Sequence, residues 1–300
     1  MSAPTNIAGR SRNPIVRFFT SPFIWLIAPA ATFLVLMIAF PLGYVLFMST
    51  QDYLIGLQGT AVGLQNYVDM LQDPVFWIGL RVTFSLYFMS LIAQLLIGLW
   101  VAMMLNRAFV GARGLRTILL SPLAMPPVAV GMMWLILLDP AFGPVEYLLE
   151  VLGLPEMLFL ASPSQVVPTL AAIDTWQYTP LIVIILLGGL QSLPEDPYQA
   201  AIIDGATAVQ RFFRITLPLL RPAIVTAAVL RSIDLLRFFD TIYITTQGGP
   251  GNASTTLNIY AYKSGFVFFH MGYASALMIA LFLIVLVIVL LLSRLRRMGQ

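Results

Sequence analysis

Six long apolar runs dominate this sequence and limit the folds that are open to it. Each run is long enough to cross a bilayer as a helix, which takes about 20 mostly apolar residues. One such run could be a buried helix of a soluble domain. However, only 10% of the residues are charged, whereas soluble domains average roughly 25%. We therefore predict an all-α, polytopic membrane protein with six transmembrane helices. The runs cover about residues 23–48, 78–105, 117–138, 165–191, 219–242 and 271–292.

Arginine residues between the runs predict the orientation of the chain. Most of the 16 basic residues stand in four groups, before the first run and after the second, fourth and last runs. They are Arg10, Arg12, Arg17, Arg107, Arg113, Arg116, Arg211, Arg214, Arg221, Arg294, Arg296 and Arg297. Because basic loops stay in the cytoplasm, we predict a cytoplasmic tail at 1–22, a six-span domain at 23–292 and a cytoplasmic tail at 293–300. The intervening loops are acidic, with Asp52, Asp69, Asp73, Asp139, Glu146, Glu150 and Glu156.

The residue inventory excludes several kinds of site. The chain has no cysteine and a single histidine, His270, so cysteine chemistry and histidine-rich metal sites are excluded. The single lysine, Lys263, follows "LNIYAY" and lacks the glycines of a phosphate-binding P-loop. We predict no metal, no cofactor, no nucleic-acid partner and no enzyme activity of its own. If ATP drives the protein, another subunit hydrolyses it.

Residues 192–218 form a short charged segment between two apolar runs. Asp196 and Pro197 are typical of a helix start, and Asp204-Gly205 breaks that helix because glycine tolerates a positive φ. "ATAVQRFFRI" then restarts a helix, which predicts two short helices at a sharp angle. The segment could be an ordinary amphipathic surface connection. Alanines beside the glycine break, followed by aromatic residues, favour a protrusion that fits a groove in a partner protein.

The order of residues in this segment resembles the cytoplasmic loop of binding-protein-dependent ABC importer permeases. That loop reads A-A-x-x-D-G-A and later I-x-L-P-x-x-x-P. The matching residues are Ala200, Ala201, Asp204, Gly205, Ala206, Ile215, Leu217, Pro218 and Pro222. The family usually has glutamate before the two alanines, where this chain has Gln199, so an ionic contact there is replaced at most by a hydrogen bond.

Three further stretches resemble the carbohydrate-uptake branch of this family, which includes sugar, glycerol-phosphate and polyol permeases. They are "AMPPVAVGMMW" (124–134), "DPAFGPVEYLLEVLGLP" (139–155) and "FDTIYITTQGGPGNAST" (239–255). The resemblance covers most of residues 40–270 and implies the MetI-like permease architecture in a bacterial inner membrane.

The resemblance also implies partners and a coupling site. In that family the loop helices sit in a cleft of the ATPase and pass its closure to the membrane spans. The implied coupling residues are Gln199, Ala200, Ala201, Asp204, Gly205, Ala206 and Phe212. The implied partners are a second permease of related but different sequence, an ATP-binding cassette ATPase dimer, an external solute-binding protein and membrane lipid.

Four charges in the fifth run stand three residues apart. They are Arg231, Asp234, Arg237 and Asp240. Each charge near the bilayer centre costs roughly 2.5–3.5 kcal/mol, and neighbours at i and i+3 can pair. Each step also turns about −60° around a helix, so the four cannot all line one pore. We predict a structural ion pair for Arg231.

A substrate pathway is predicted where the fourth and fifth runs carry polar groups at similar depth. Aromatic faces beside carboxylate and amide groups suit a polyhydroxylated ligand, although such groups can also simply hold helices together. Arg237 lies between two carboxylates, which favours a neutral carbohydrate or polyol. The candidate residues are Asp174, Trp176, Gln177, Tyr178, Asp234, Arg237 and Phe238.

Two other functional classes could also produce an apolar chain with several membrane spans. A secondary active transporter could use Asp174, Asp234 and Asp240 as ion relays, but it needs no cytoplasmic docking loop. A membrane-embedded enzyme would need a catalytic cluster, and no motif such as G-x-S-x-G is present. The loop at 192–218 therefore favours the importer permease.

Overall fold

A computed structural model describes residues 22–106 and 111–297, without the side chains of 22–25, 112–113 and 295–297. The predicted tail at 1–22 lies almost wholly outside the described residues. Residues up to Phe47 and residues from Met48 onward form two separate units. Helix α1, Pro22–Ser49, contains the first apolar run and supplies most of the described part of the first unit.

The described part of the second unit is mainly helical and contains one small hairpin. Strands β1 (Gln51–Asp52) and β2 (Thr60–Ala61) pair antiparallel. The helices are α2 Gln65–Gln72, α3 Pro74–Leu105, α4 Ala112–Leu120, α5 Pro127–Leu137, α6 Pro144–Val151, α7 Val166–Gln191, α8 Asp196–Ile203, α9 Ala208–Arg211, α10 Leu217–Leu236, α11 Asp240–Thr245, α12 Leu257–Tyr262 and α13 Met271–Arg297. Short 3-10 turns cover Ser121–Ala124 and Phe159–Ala161, and π-helical turns cover Phe212–Thr216 and Lys263–Val267.

The prediction of an all-α polytopic membrane protein is confirmed, with a correction at the third run. Five described helices are long and apolar enough to cross a membrane, and a bent pair makes six if it counts as one span. That pair, Gly114–Ala124 and Pro127–Leu137, bends by 97°, so residues 117–138 are not one straight helix. The cause is local: a proline disfavours the helical conformation of the residue before it, and Met125, before Pro126, is extended at φ −82° and ψ 135°.

The fifth run also differs from its prediction. Helix α10 ends at Leu236, and Arg237 is its C-cap with φ −106° and ψ 14°. The Arg237 carbonyl instead accepts a hydrogen bond of 2.9 Å from Asn258 Nδ2. Because Asp240 begins the separate helix α11, the predicted winding of four charges around one helix is wrong beyond Asp234.

Close packing of α3 against α7 forms the centre of the second unit. A methyl group at Gly98 would lie 2.6 Å from Ile182 Cγ2, so only glycine allows the two helices to approach this closely. Helix α10 packs against α3, α7 and α13, and α11 packs against α5. The apolar residues between these helices include Ala102, Leu105, Ile182, Leu186, Leu220 and Ala227.

Candidate functional site

The predicted coupling loop begins with α8, and two backbone hydrogen bonds cap the C-terminal end of this helix. Gly205 N–H donates to the Ile202 carbonyl at 3.0 Å, and Ala206 N–H donates to the Ala201 carbonyl at 2.8 Å. This pattern needs a residue with positive φ after the helix, and Gly205 has φ +74°. The predicted helix break at Asp204-Gly205 is therefore present, for the expected reason.

The second half of the loop is not a separate short helix, which corrects the prediction. Thr207 caps α9 in a reciprocal capping box with Gln210. The helix then runs through the π-helical turn Phe212–Thr216 directly into α10. Pro218 is the second residue of α10, and the helical backbone continues across it, so it does not separate the loop from the membrane helix.

The surface of the loop is apolar as well as charged. Of the predicted coupling residues, Gln199, Ala200, Asp204 and Gly205 are exposed, whereas Ala201, Ala206 and Phe212 are half-buried. The predicted coupling residues did not include Ile203 and Phe213, which are 86% and 61% exposed. Large apolar side chains inside a charged loop were the available signal. Exposed apolar groups of this kind mark surfaces that bind a protein partner.

A buried polar network joins three membrane helices. Arg231 on α10 places Nη2 2.9 Å from Asp174 Oδ2 on α7, and its Nε donates to Gln94 Oε1 on α3 at 2.9 Å. Gln94 Nε2 closes the triangle by donating to Asp174 Oδ2 at 2.6 Å. The guanidinium carbon also lies 4.1 Å from the centre of the Tyr178 ring.

The network contains the predicted structural ion pair of Arg231. Its closer partner is Asp174 on α7 and not Asp234, its neighbour on the same helix. Asp234 Oδ2 lies 3.5 Å from Arg231 Nη1, farther than Asp174. Sequence reasoning missed Gln94, which is fully buried. An isolated amide inside the second apolar run was the signal that could have found it.

A cavity of about 340 Å³ opens beside this network and brings together five of the seven predicted pathway residues. Those five are Asp174, Tyr178, Asp234, Arg237 and Phe238. Arg231, Asp240 and Asn258 also line it. Three carboxylates therefore face two guanidinium groups, which leaves the cavity formally negative.

Trp176 and Gln177 lie elsewhere, which corrects the predicted grouping. Trp176 packs edge to face on Trp134, with ring centres 5.6 Å apart, and lines a separate apolar cavity. Gln177 is buried and donates from Nε2 to the Met125 carbonyl at 3.1 Å. For Trp176 the reason is helical geometry: at about 100° per residue, a side chain two positions from Asp174 points to nearly the opposite face. For Gln177 it is packing, because the hydrogen bond to Met125 holds its side chain away from the cavity.

Comparisons with known proteins agree with this architecture. A family model described as "Binding-protein-dependent transport system inner membrane component" matches residues 94–298. The probable ABC transporter permease protein y4oQ of Sinorhizobium fredii is 36% identical, over 87% of this chain and 85% of its own length. The trehalose/maltose transport system permease protein MalF of Thermococcus litoralis is 38% identical, over 75% of this chain and 76% of its own. The sulfoquinovosyl glycerol transport system permease protein SmoG of Agrobacterium fabrum is 34% identical, over 86% and 85%.

A solved structure shows the same fold. The crystal structure of a bacterial alginate ABC transporter, in complex with its alginate pentasaccharide-bound periplasmic protein, contains a similar chain. The two superpose with a TM-score of 0.81 over 95% of this chain and 97% of that one, at 24% sequence identity.

Proposed function

The chain belongs to the family of binding-protein-dependent transport system inner membrane components, and we propose that its cargo is a neutral carbohydrate or polyol. It is a multi-pass permease subunit of an ABC importer, a transport protein and not an enzyme. This family membership displaces the two alternatives, a secondary active transporter and a membrane-embedded enzyme. The names of its relatives refer to more than one carbohydrate, so the proposed cargo rests on the chemistry of the cavity beside Arg231.

The balance of charge in that cavity carries the proposal. The Asp174–Arg231 pair is internally neutral and buried, so it forms a wall and positions its neighbours. Asp234 and Arg237 are more open, with side chains 50% and 61% exposed and 3.9 Å between Oδ1 and Nη2. They can exchange their loose ion pair for bonds to sugar hydroxyls. Since the cavity has one more carboxylate than guanidinium, an anionic solute is disfavoured.

Phe238 and Tyr178 supply the apolar part of the pathway. Both line the cavity, and aromatic faces pack well on the C–H faces of a sugar ring. The Tyr178 ring is already in contact with Arg231, so Phe238 is the better candidate for stacking. Trp176 and Gln177 are omitted from the proposed pathway because they lie outside this cavity.

We further propose the partners and the orientation. The exposed apolar groups around Gly205 support docking of α8 and α9 in a cleft of an ATPase dimer, together with Gln199, Ala200, Ala201, Asp204, Ala206 and Phe212. A second, related permease completes the pathway, and an external binding protein delivers the cargo. The arginine groups support a cytoplasmic location for both termini and for α8, in the inner membrane of a bacterium.

Purification of the tagged chain from its native membrane tests this proposal. Intact mass spectrometry is expected to find a second permease and two copies of an ATPase. Ile203→Glu should release the ATPase and keep the second permease, because it places a charge in an apolar contact. Leu57→Glu, a control at a residue 64% exposed in the β1–β2 hairpin, should keep both. A chain that purifies alone, or full ATPase retention in Ile203→Glu, contradicts the proposal.

A further inference from the structure

A second polar cavity lies among the acidic loops, away from α8. It encloses about 560 Å³ between the β1–β2 hairpin, α2, α12 and the start of α13. Asp52 and Asp69 line it, together with the aromatic residues Tyr53, Tyr260 and Phe268. In the proposed orientation this cavity opens on the outer face of the membrane.

Hydrogen bonds within the chain hold the walls of the cavity in place, so the cavity is preorganised. Asn66 Nδ2 donates to the carbonyls of Ser49 and Gln51, at 2.8 and 2.9 Å. Beneath the cavity Asp73 accepts from the hydroxyls of Tyr260 and Tyr273. Burial alone would raise the pKa of Asp73, but these hydroxyl bonds and backbone N–H bonds outweigh it and lower that pKa. Asp73 is therefore a firmly charged anchor for both tyrosines.

Several hydrogen-bond donors around the cavity are committed to acceptors within the protein, whereas carboxylate and amide oxygens remain open. The hydroxyl hydrogens of Tyr260 and Tyr273 go to Asp73, and Gln65 Nε2 donates to Asp69 Oδ1 at 2.8 Å. Asn66 uses its amide hydrogens on the backbone, and its Oδ1 accepts from none of the described residues. A ligand that only donates therefore fits this lining better than a sugar, which both donates and accepts.

The negative charge of the cavity also favours a ligand that carries hydrogen-bond donors and a positive charge. Among the described residues no basic side chain forms a salt bridge with Asp52 or Asp69. His270 is the one lining residue that can carry a positive charge. Two carboxylates between aromatic walls match a guanidinium, which combines planar donors with stacking on aromatic rings.

We propose that this cavity receives an arginine side chain of the external solute-binding protein when that protein docks on the permease. The inference rests on the proposed function, because it assumes that a binding protein delivers the cargo. Asp52 and Asp69 would hold the guanidinium, and Tyr53 and Phe268 would stack on it. The contact would set how tightly the binding protein docks and not how fast the assembled transporter turns over.

The complete transporter in lipid nanodiscs provides the test, with ATP hydrolysis measured against the concentration of cargo-loaded binding protein. For the combined variant Asp52→Asn and Asp69→Asn, the half-saturating concentration should rise about three- to tenfold, since each exposed ion pair contributes a few-fold. The maximal rate should be retained. Raising salt from about 50 to about 300 mM should weaken docking of the parent more than that of the variant, because exposed ion pairs are screened.

A charge-matched control separates this cavity from general attraction between acidic and basic surfaces. Glu150→Gln with Glu156→Gln removes two exposed carboxylates from another acidic loop and should leave the half-saturating concentration unchanged. An equal shift in this control, or no shift in the Asp52/Asp69 variant, overturns the inference. Cargo binding to the complex without binding protein, lost in that variant, would identify a carbohydrate subsite and also overturn it. If the binding protein does not stimulate the parent at all, the proposed function fails as well.

Discussion

Arg231 Nη2 lies 2.9 Å from Asp174 Oδ2 on a neighbouring membrane helix, and both side chains are only 1% exposed. The two residues stand 57 positions apart in the sequence, so this contact forms only when α7 and α10 pack together. A buried charge that loses its partner is strongly destabilising, whereas an apolar pair of similar volume is often tolerated. The pair is therefore expected to matter more for assembly than for contact with the cargo.

Replacement of one partner should destabilise the protein more than replacement of both. Arg231→Met leaves the Asp174 carboxylate without its charge partner and should cost about 3–5 kcal/mol. Arg231→Met combined with Asp174→Leu should recover most of that loss. Thermal unfolding of the purified complex in detergent, followed by size-exclusion chromatography, measures both variants. A double variant no more stable than Arg231→Met would show that the network with Gln94 needs the charges themselves.

Gly205 should tolerate asparagine better than valine. The space around it is open, with no atom beyond its chain neighbours within 4 Å of an added Cβ, so strain at φ +74° is the main penalty. For most residues that strain is about 1–2 kcal/mol, and asparagine is among the few that adopt this conformation readily. Co-purification of the ATPase and its stimulated activity are expected to fall in Gly205→Val and to stay near the parent level in Gly205→Asn. Equal ATPase co-purification and activity in the two variants would show that the positive φ of Gly205 is not what coupling requires.

Asp234→Asn should lower uptake without disturbing assembly. A carboxylate is a stronger acceptor than an amide for a sugar hydroxyl, so the initial rate of uptake should fall about tenfold, equivalent to ~1.4 kcal/mol. The rate is measured in cells at equal membrane abundance of the two proteins. Glu150→Gln, an equivalent loss of charge at an exposed position of α6, serves as the control. Unchanged uptake would show that Asp234 has a structural role only. Loss of uptake in Arg237→Ala but not in Asp234→Asn would indicate an anionic cargo.

The two ends of α7 should lie on opposite sides of the membrane. Ser164 is exposed just before this helix and Ser192 just after it, and the chain has no other cysteine to interfere. A membrane-impermeant maleimide added to cells with a permeable outer layer should label Ser164→Cys and not Ser192→Cys. Ser192→Cys should react once the inner membrane is opened. The reverse pattern in intact cells would invert the proposed topology.

Features with a local cause could be predicted from the sequence, although the bend at Met125 was not, whereas features that depend on helix packing could not. The break at Gly205 follows from neighbouring residues, so it appears where it was expected. The contacts of Arg231 with Asp174 and Gln94 form only where three helices meet, and within the sequence Asp234 at i+3 is the nearest opposite charge. The bend at Met125 interrupts a run that stays apolar throughout, so hydropathy alone does not reveal it. The consecutive prolines Pro126 and Pro127 were the sequence signal for the bend.

The error at Trp176 has a simpler cause. Its aromatic ring suggested stacking on a sugar, but its position two residues after Asp174 already placed it on another face of the helix. Gln177 was grouped with it for its chemistry and not for its direction. Residue type therefore identified the helices that carry the polar groups of the pathway. Only the packed structure separated the residues that line the cavity from Trp176, which packs on α5, and Gln177, which binds the turn at Met125.

Uptake into proteoliposomes tests the central claim most directly. The complex purified through this chain is reconstituted with loaded binding protein and a radiolabelled neutral carbohydrate outside, and with either ATP or no nucleotide inside. Accumulation that requires both internal ATP and the binding protein, and that disappears in Gly205→Val but not in Gly205→Asn, is the predicted result. Accumulation driven by a proton or sodium gradient without ATP would contradict the account.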